Sequence, residues 1–285
     1  MIYTLSSLHP WFITGFVDGE GSFMVSILKN PKVRSGWQIQ SVFQIALHKK
    51  DIELLKLIQA YFEGIGKIAK HEKDSYSYRV HSLEEILDKL LPNFDKHPLV
   101  TQKLADYLLW REIILMMQRN EHLTDEGLQA IVNMRASLNL GVSDELKAAF
   151  PNIIPVSKPS VSDYKIQDPH WLVGFTSAEW CFMIRIKNSS THRLGFQVLL
   201  KFSITQQSRY EQLLRSLVTY LNCGGITFHK ENQVIEFVVT KFSDIIDKII
   251  PFFVKYSILG VKSKDFADFY KVAEFMKKIE KFRDL

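Results

Sequence analysis

HPWFITGFVDGEGSFMVSI at 9–27 and PHWLVGFTSAEWCFMIRI at 169–186 are nearly the same run, and each sets a glutamate at the end of an apolar, glycine-bearing segment. Each reads as a helix that hands an acid to the start of a strand. Proline suits the first helical turn at Pro10 and Pro169, and Asp168 is placed to cap the second copy. Glu20 and Glu179 stand 159 positions apart, and the same offset carries Phe23 to Phe182, Phe43 to Phe202 and Ile45 to Ile204. It also carries Leu54 and Leu55 to Leu213 and Leu214, Gly66 to Gly225, Pro92 to Pro251 and Lys103 to Lys262. One offset kept over so long a stretch indicates a module written twice, with a pseudo-two-fold arrangement of the halves.

Each module is expected to run helix, strand, strand, helix, strand, strand, helix, which makes the fold class α+β. Phe23, Val25 and Ile27 alternate with more polar neighbours, as do Trp37, Ile39, Phe43 and Ile45, so both segments read as half-buried strands. DIELLKLIQAYF and RYEQLLRSLVTYL are the middle helices, and shorter strands are expected around 67–71 and 76–81. Helices follow over 83–91 and roughly 99–118, and DFADFYKVAEFMKKI closes the second half. Between the halves, a helix begins after Thr124, a reasonable cap, and PNIIPVSKPSVSDYKIQDP reads as a tether. The expected domains are 1–120, a linker over 121–168, and 169–285.

The apolar content of 46% in 285 residues is enough for a sizeable core, and every apolar run is too short to span a bilayer, so no membrane segment is predicted. Cys181 and Cys223 are too few for a disulfide framework and predict two free thiols in a reducing compartment. MIYTLSSLH lacks the pattern of a signal or transit peptide, so a protein working in an organelle is expected to be made there or to have lost its presequence. A net charge of +5 with a pI near 9.0 favours a polyanionic partner only weakly. The glycines form no nucleotide-binding fingerprint, and ATP dependence is not expected.

Gly15 and Gly19, like Gly174 and Ala178, are four residues apart, so each opening helix presents a stripe of small residues along which two backbones can approach closely. Packing across the pseudo-two-fold axis would bring Glu20 and Glu179 to neighbouring positions. Two apposed carboxylates repel unless a proton or cation intervenes, and the position suits a divalent, oxygen-liganded metal, with Mg²⁺ expected. An ion there could activate water beside a phosphodiester and stabilise the departing oxygen.

With ITGFVDGEG at 13–21 and LVGFTSAEW at 172–180 in the motif positions, the sequence resembles the LAGLIDADG homing endonucleases, specifically the single-chain type. LVTQKLADYLLW at 99–110 and ILGVKSKDFADF at 258–269 match a recurrent downstream lysine and Asp-aromatic pattern, and 122–139 resembles the inter-repeat segment of fungal mitochondrial members of the Onu type. The resemblance implies a saddle of two four-stranded antiparallel sheets, lying in successive major grooves of an asymmetric DNA duplex of about 20–22 base pairs. It implies cleavage of both strands with four-base 3′ overhangs, by a monomer with no obligate protein partner. Glu20 and Glu179 would be the metal-binding acids, and Lys103 and Lys262 the basic residues of the two catalytic pockets. Mn²⁺ would substitute for Mg²⁺, and Ca²⁺ would support binding without cleavage. The implied location is the mitochondrion, with the protein encoded in an intron there.

The second motif departs from the pattern at Ser177, where the first copy has Asp18, and at Trp180, where Gly21 stands in the first. Trp180 either crowds the second catalytic pocket or turns outward to pack on the following strand. Gln206 occupies a pocket position where family members often carry Gln, whereas its counterpart is Leu47, so unequal strand rates are expected. Ser177 is easily tolerated, because the acid follows two residues later, but Trp180, with the resemblance to a family whose members sometimes assist splicing of their host intron, motivates an alternative: an intron maturase, or a cleavage-impaired nucleic-acid-binding relative with intron RNA as a second partner. A purely structural protein would leave both acids and both lysines unexplained.

The strand faces opposite the apolar alternation supply a DNA-reading surface. In the first half it consists of Gln38, Gln40 and Gln44 with Lys32 and Arg34 in the preceding turn, supplemented by Lys67, Lys70, His71 and Arg79. In the second half it consists of Arg185, Lys187, Arg193, Gln197, Lys201 and Ser203, supplemented by His229 and Lys230. Arginine and glutamine can read major-groove edges, and lysine can hold phosphates.

Overall fold

The computed structural model describes residues 8–138, 141–161, 164–191, 195–229 and 233–283, with the side chains of Glu179, Trp180 and 280–283 outside that description. The duplicated α+β plan holds. One four-stranded antiparallel sheet is formed by β1 (Gly21–Lys29), β2 (Trp37–His48), β3 (Lys67–Glu72) and β4 (Ser75–Val80), in the order β1-β2-β4-β3. The other has β5 (Trp180–Asn188), β6 (Phe196–Gln207), β7 (Gly225–His229) and β8 (Val234–Val239) in the equivalent order β5-β6-β8-β7. A motif helix precedes each sheet, Pro10–Glu20 and Pro169–Glu179, and a middle helix joins the strand pairs, Ile52–Tyr61 and Glu211–Leu221.

The chain divides into two compact units differently from the expected domains. One gathers Glu20–Asp163, linker included; the other takes Trp11–Gly19, the body of the first motif helix, together with Tyr164–Leu285. In the first unit Phe23 meets Phe43, Phe94, Tyr107 and Trp110, ring against ring, at centroid distances of 5.1–5.8 Å. In the second, Phe182 meets Phe202, Phe253, Phe266 and Phe269 at 4.8–5.8 Å. Each of the second set lies 159 positions after its counterpart, so the duplication extends to the aromatic core.

Both expected caps form. Thr124 accepts from the Gly127 amide and starts the helix Asp125–Ser137, and Asp168 accepts from the His170 amide at 2.8 Å ahead of Pro169–Glu179. Two helix boundaries differ from the sequence reading. The stretch expected over 83–91 continues as Leu91–Lys96, and its middle, Ile86–Leu90, is a π-helical turn; Ile245–Ile249 repeats this before Ile250–Lys255. Each wide turn stands just ahead of a proline, Pro92 or Pro251, which has no N–H for the α-helical bond and whose ring would crowd the carbonyl four residues back. The helix expected from 99 starts at Lys103, where the Lys103 amide donates to Thr101 Oγ1, while Leu99 and Val100 are buried ahead of it.

The offset slips at one point. Gly66 and Gly224, both with positive φ (67° and 80°), are equivalent, each lying against the carbonyl of the register-matched Arg79 or Val238. Gly225 instead pairs with Val238, as Lys67 does with Arg79. The second loop is therefore one residue shorter, and the expected pairing of Gly66 with Gly225 is corrected to Gly66 with Gly224.

Candidate nucleic-acid interface and catalytic site

Strand alternation decides which side chains share a face. In the first sheet Ile39, Phe43, Ile45, Tyr78 and Val80 are buried, which turns Gln38, Gln40 and Gln44 to the opposite face. Ser22, Gln44, Arg79 and Lys67 form one continuous row across all four strands. Arg79 is hydrogen-bonded to His71 at 3.0 Å, and Asn30 donates to the Gln38 side-chain oxygen at 3.0 Å, so both side chains are held in place. Lys32 and Arg34 are exposed in the turn before β2. Lys70 does not join this surface: it is in register with Tyr76, on the face that carries Ile68, Tyr78 and Ile45. Its parity within β3 is opposite to that of Lys67, a one-residue error that flips a strand side chain to the other face.

In the second sheet Phe202, Ile204, Phe237 and Val239 face the core, and Arg185, Lys187, Gln197, Lys201, Ser203 and His229 share the other face. Lys187 and Gln197 are direct cross-strand partners, and Arg185 faces Leu199. Arg193 and Lys230 lie outside the described residues. Amid these donors stands a carboxylate the sequence reading missed, Glu236, which is 8% exposed. Lys201 Nζ lies 2.6 Å from it and His229 Nε2 3.4 Å. Burial pushes the Glu236 carboxyl up, but hydrogen bonds from Lys201 and Ser203 outweigh this and hold it below the usual glutamate value. The strand VIEFVV, alternating about Ile235 and Phe237, carried the signal that would have found it.

The motif helices meet at their glycines. A Cβ at Gly15 would collide with the Trp171 carbonyl oxygen, and one at Gly174 with that of Phe12. The contact is asymmetric where the second motif departs from the first: Trp171 Nε1 donates to the buried Asp18 carboxylate at 2.7 Å. The counterpart of Trp171 is Phe12, which has no N–H to give, and the counterpart of Asp18 is Ser177. Ser177 Oγ donates to the Val173 carbonyl at 2.8 Å and accepts from the Leu259 amide. Ser177 thus has its own local role, and the loss of an aspartate there tracks the loss of an indole donor opposite.

Glu20 is the last residue of its helix and is half-buried; Glu179 ends the second helix. Lys262 opens the helix Lys262–Arg283, and its Nζ donates to the Ala178 carbonyl, one residue before Glu179. A lysine here also meets the negative end of the helix dipole. Lys103 opens the equivalent helix Lys103–Gln118 and is half-buried. Gln206 sits two residues beyond Ile204, the partner of Trp180, on the core-facing side of β6 in register with Ile235; Leu47 holds the equivalent place beside Tyr76. A glutamate at the carbonyl end of a helix offers only oxygen donors, which fit a hard divalent cation such as Mg²⁺ rather than a thiolate- or imidazole-seeking one.

The model of the LAGLIDADG endonuclease family matches residues 13–114 and 172–273. Over 96% of its length the chain is 42% identical to "Probable intron-encoded endonuclease 2" of Neurospora crassa, and over 94% it is 38% identical to "Probable intron-encoded endonuclease 3" of the same fungus. It spans 62% and 50% of the length of those two curated relatives. Among solved structures, the I-SmaMI LAGLIDADG homing endonuclease bound to cleaved DNA superimposes with a TM-score of 0.93 at 43% identity, covering 96% of this chain and 91% of that one. The same protein has also been solved with an uncleaved DNA target in the presence of calcium ions, at a TM-score of 0.93, 43% identity and coverage of 96% and 93%.

Proposed function

Because the chain belongs to the LAGLIDADG endonuclease family, we propose that it is a single-chain homing endonuclease cutting both strands of an asymmetric DNA site of about 20–22 base pairs to leave four-base 3′ overhangs. The observation that carries this reading is the pair of strand faces: a Ser22–Gln44–Arg79–Lys67 row on one sheet and Arg185, Lys187 and Gln197 on the other. The faces differ in composition, which favours a non-palindromic target. Glu20 and Glu179 would hold Mg²⁺, replaceable by Mn²⁺, which when bound supplies an activated water and charge stabilisation of the departing oxygen. Lys262, anchored on Ala178, and Lys103 set an ammonium in each pocket to counter the phosphate charge, and Gln206 orients water in one of them. Within the family we assign the Onu type on the 122–139 segment. The protein acts as a monomer, with no obligate protein partner, in the fungal mitochondrion that houses its intron; intron-encoded relatives support this placement. No helix among the described residues is long and apolar enough to cross a membrane.

The test is selection from a randomised duplex library of about 26 base pairs, scored for retention in Ca²⁺ and for double-strand cleavage in Mg²⁺. A recovered motif cut at its centre supports the proposal, as does loss of cleavage with retained binding when Glu20 and Glu179 both become Gln. Persistent cleavage in that variant would overturn the assignment of the acids. A second reading, a maturase or cleavage-impaired binder of intron RNA, is favoured by Trp180 following the acid where Gly21 follows Glu20. It predicts that the motif is retained but uncut, and that intron RNA splices faster in the protein's presence.

A further inference from the structure

Glu236 is out of place on a surface meant for a polyanion. A carboxylate there repels phosphate, and its burial between Thr205 and Thr227 carries a desolvation cost. The equivalent position in the first sheet is Ser77, set between Ala46 and Ala69, so the fold does not require an acid. Glu236 gathers three residues of the reading face: Lys201 on one oxygen, His229 on the other, and Ser203 by a hydrogen bond. An exposed lysine is a flexible point charge that meets any phosphate equally well. A lysine held at 2.6 Å by a carboxylate keeps one N–H engaged and two left over, in a fixed position.

We propose that Glu236 is a positioning residue for base recognition: it fixes the Lys201 ammonium so that its remaining donors address the O6 and N7 acceptors of a guanine in the major groove, and it cancels a positive charge that would otherwise favour DNA of any sequence. The proposal rests on the reading of this face as a DNA surface. It makes the second sheet selective at one or two adjacent base pairs, at the expense of unspecific attraction.

The test compares the unmodified protein with its E236Q and K201M variants, binding in Ca²⁺ to the selected target, to duplexes changed at each single base pair, and to an unrelated duplex over a range of salt. E236Q is expected to lose about ten-fold discrimination at the base pair that prefers guanine under the second sheet. It should also bind the unrelated duplex more tightly, with a salt slope steeper by about one. K201M should lose its preference at the same base pair. A paired variant, K201Q with E236Q, keeps a neutral hydrogen-bonded couple should the single change fail to fold, and should show the same flattened preference without the steeper slope. Unchanged discrimination and slope in E236Q, with only a lower melting temperature, would make Glu236 structural and overturn the proposal. So would loss of preference at a different base pair in K201M. If the unmodified protein selects no duplex, the DNA reading itself fails, a result distinct from selective binding that ignores Glu236.

Discussion

Asp18 and Trp171 show why the second copy of the motif does without an aspartate. Asp18 accepts from the indole N–H of Trp171, whereas the first-copy counterpart of Trp171 is Phe12, whose ring has no N–H to offer Ser177. Replacing Trp171 by Phe removes a hydrogen bond to a buried charged acceptor and is expected to lower stability by about 1.5–3 kcal/mol, read by urea unfolding. Glu236 supplies a pH test. Its folded-state pKa is lowered below 4.5, so its contribution is present above the unfolded value and is lost as pH falls through that range. Acid unfolding of the protein should therefore be steeper below pH 4.5 than that of E236Q. The tyrosines act at the other limit: burial pushes the Tyr61 phenol up to about 12, and raises those of Tyr78 and Tyr107 further. An acid whose folded pKa is raised stabilises below its unfolded pKa of 10.0, so stability should decline as pH rises from 10 towards 12, followed by tyrosinate absorbance alongside circular dichroism.

Elements were legible where their signal is local. Proline at the first turn, the Thr124 and Asp168 caps and the two-residue alternation of β2 are all written within a few residues of where they act. The π turns were not, because a proline inside a helical pattern reads equally as a stop, and only burial of Ile86, Leu90, Ile245 and Ile249 on the continuing helix shows that the chain widens instead. Lys70 was misplaced because β3 is a short edge strand whose exposed residues give no alternation to fix its parity. The Gly66–Gly224 equivalence was hidden by a one-residue deletion that a fixed offset steps over. At this scale the glycine seam makes a firm prediction. Gly15→Ala or Gly174→Ala drives a methyl group into backbone of the facing helix, which cannot yield as a side chain would, and each should cost about 3 kcal/mol or more in thermal or urea unfolding.

For the whole molecule, charge and asymmetry matter together. A net charge of +5 is modest, so under the proposed function affinity for DNA depends on where the basic groups stand. Changing Lys67 to Gln, at the end of the four-strand row, should weaken binding uniformly across sequences and reduce the salt slope by about one, whereas changing Arg79 should relax preference at one base pair. The duplication was readable from the repeat alone, and with it the equivalence of Glu20 with Glu179 and of Lys103 with Lys262. The difference between the two sheet faces was not, because it depends on register partners such as Glu236 with Lys201 that lie 35 residues apart and have no shared local pattern. Trp180→Gly is the corresponding test of the second catalytic pocket: a larger gain in cutting of one strand than of the other, on a doubly end-labelled duplex, would locate the crowding there.

The first motif helix carries one more consequence. Residues Trp11–Gly19 belong to the same compact unit as Tyr164–Leu285, although about 145 residues of chain separate them. A recombination event that exchanged halves at the tether would therefore send each new carboxy-terminal half to a foreign opening helix. A tryptophan at 171 would then meet whatever the other parent carries at 18. Shuffled descendants should survive only when that pair travels together, so swapping target preference calls for two crossovers, one after Gly19 and one in the proline-rich tether, which exchange the segment between them as a block.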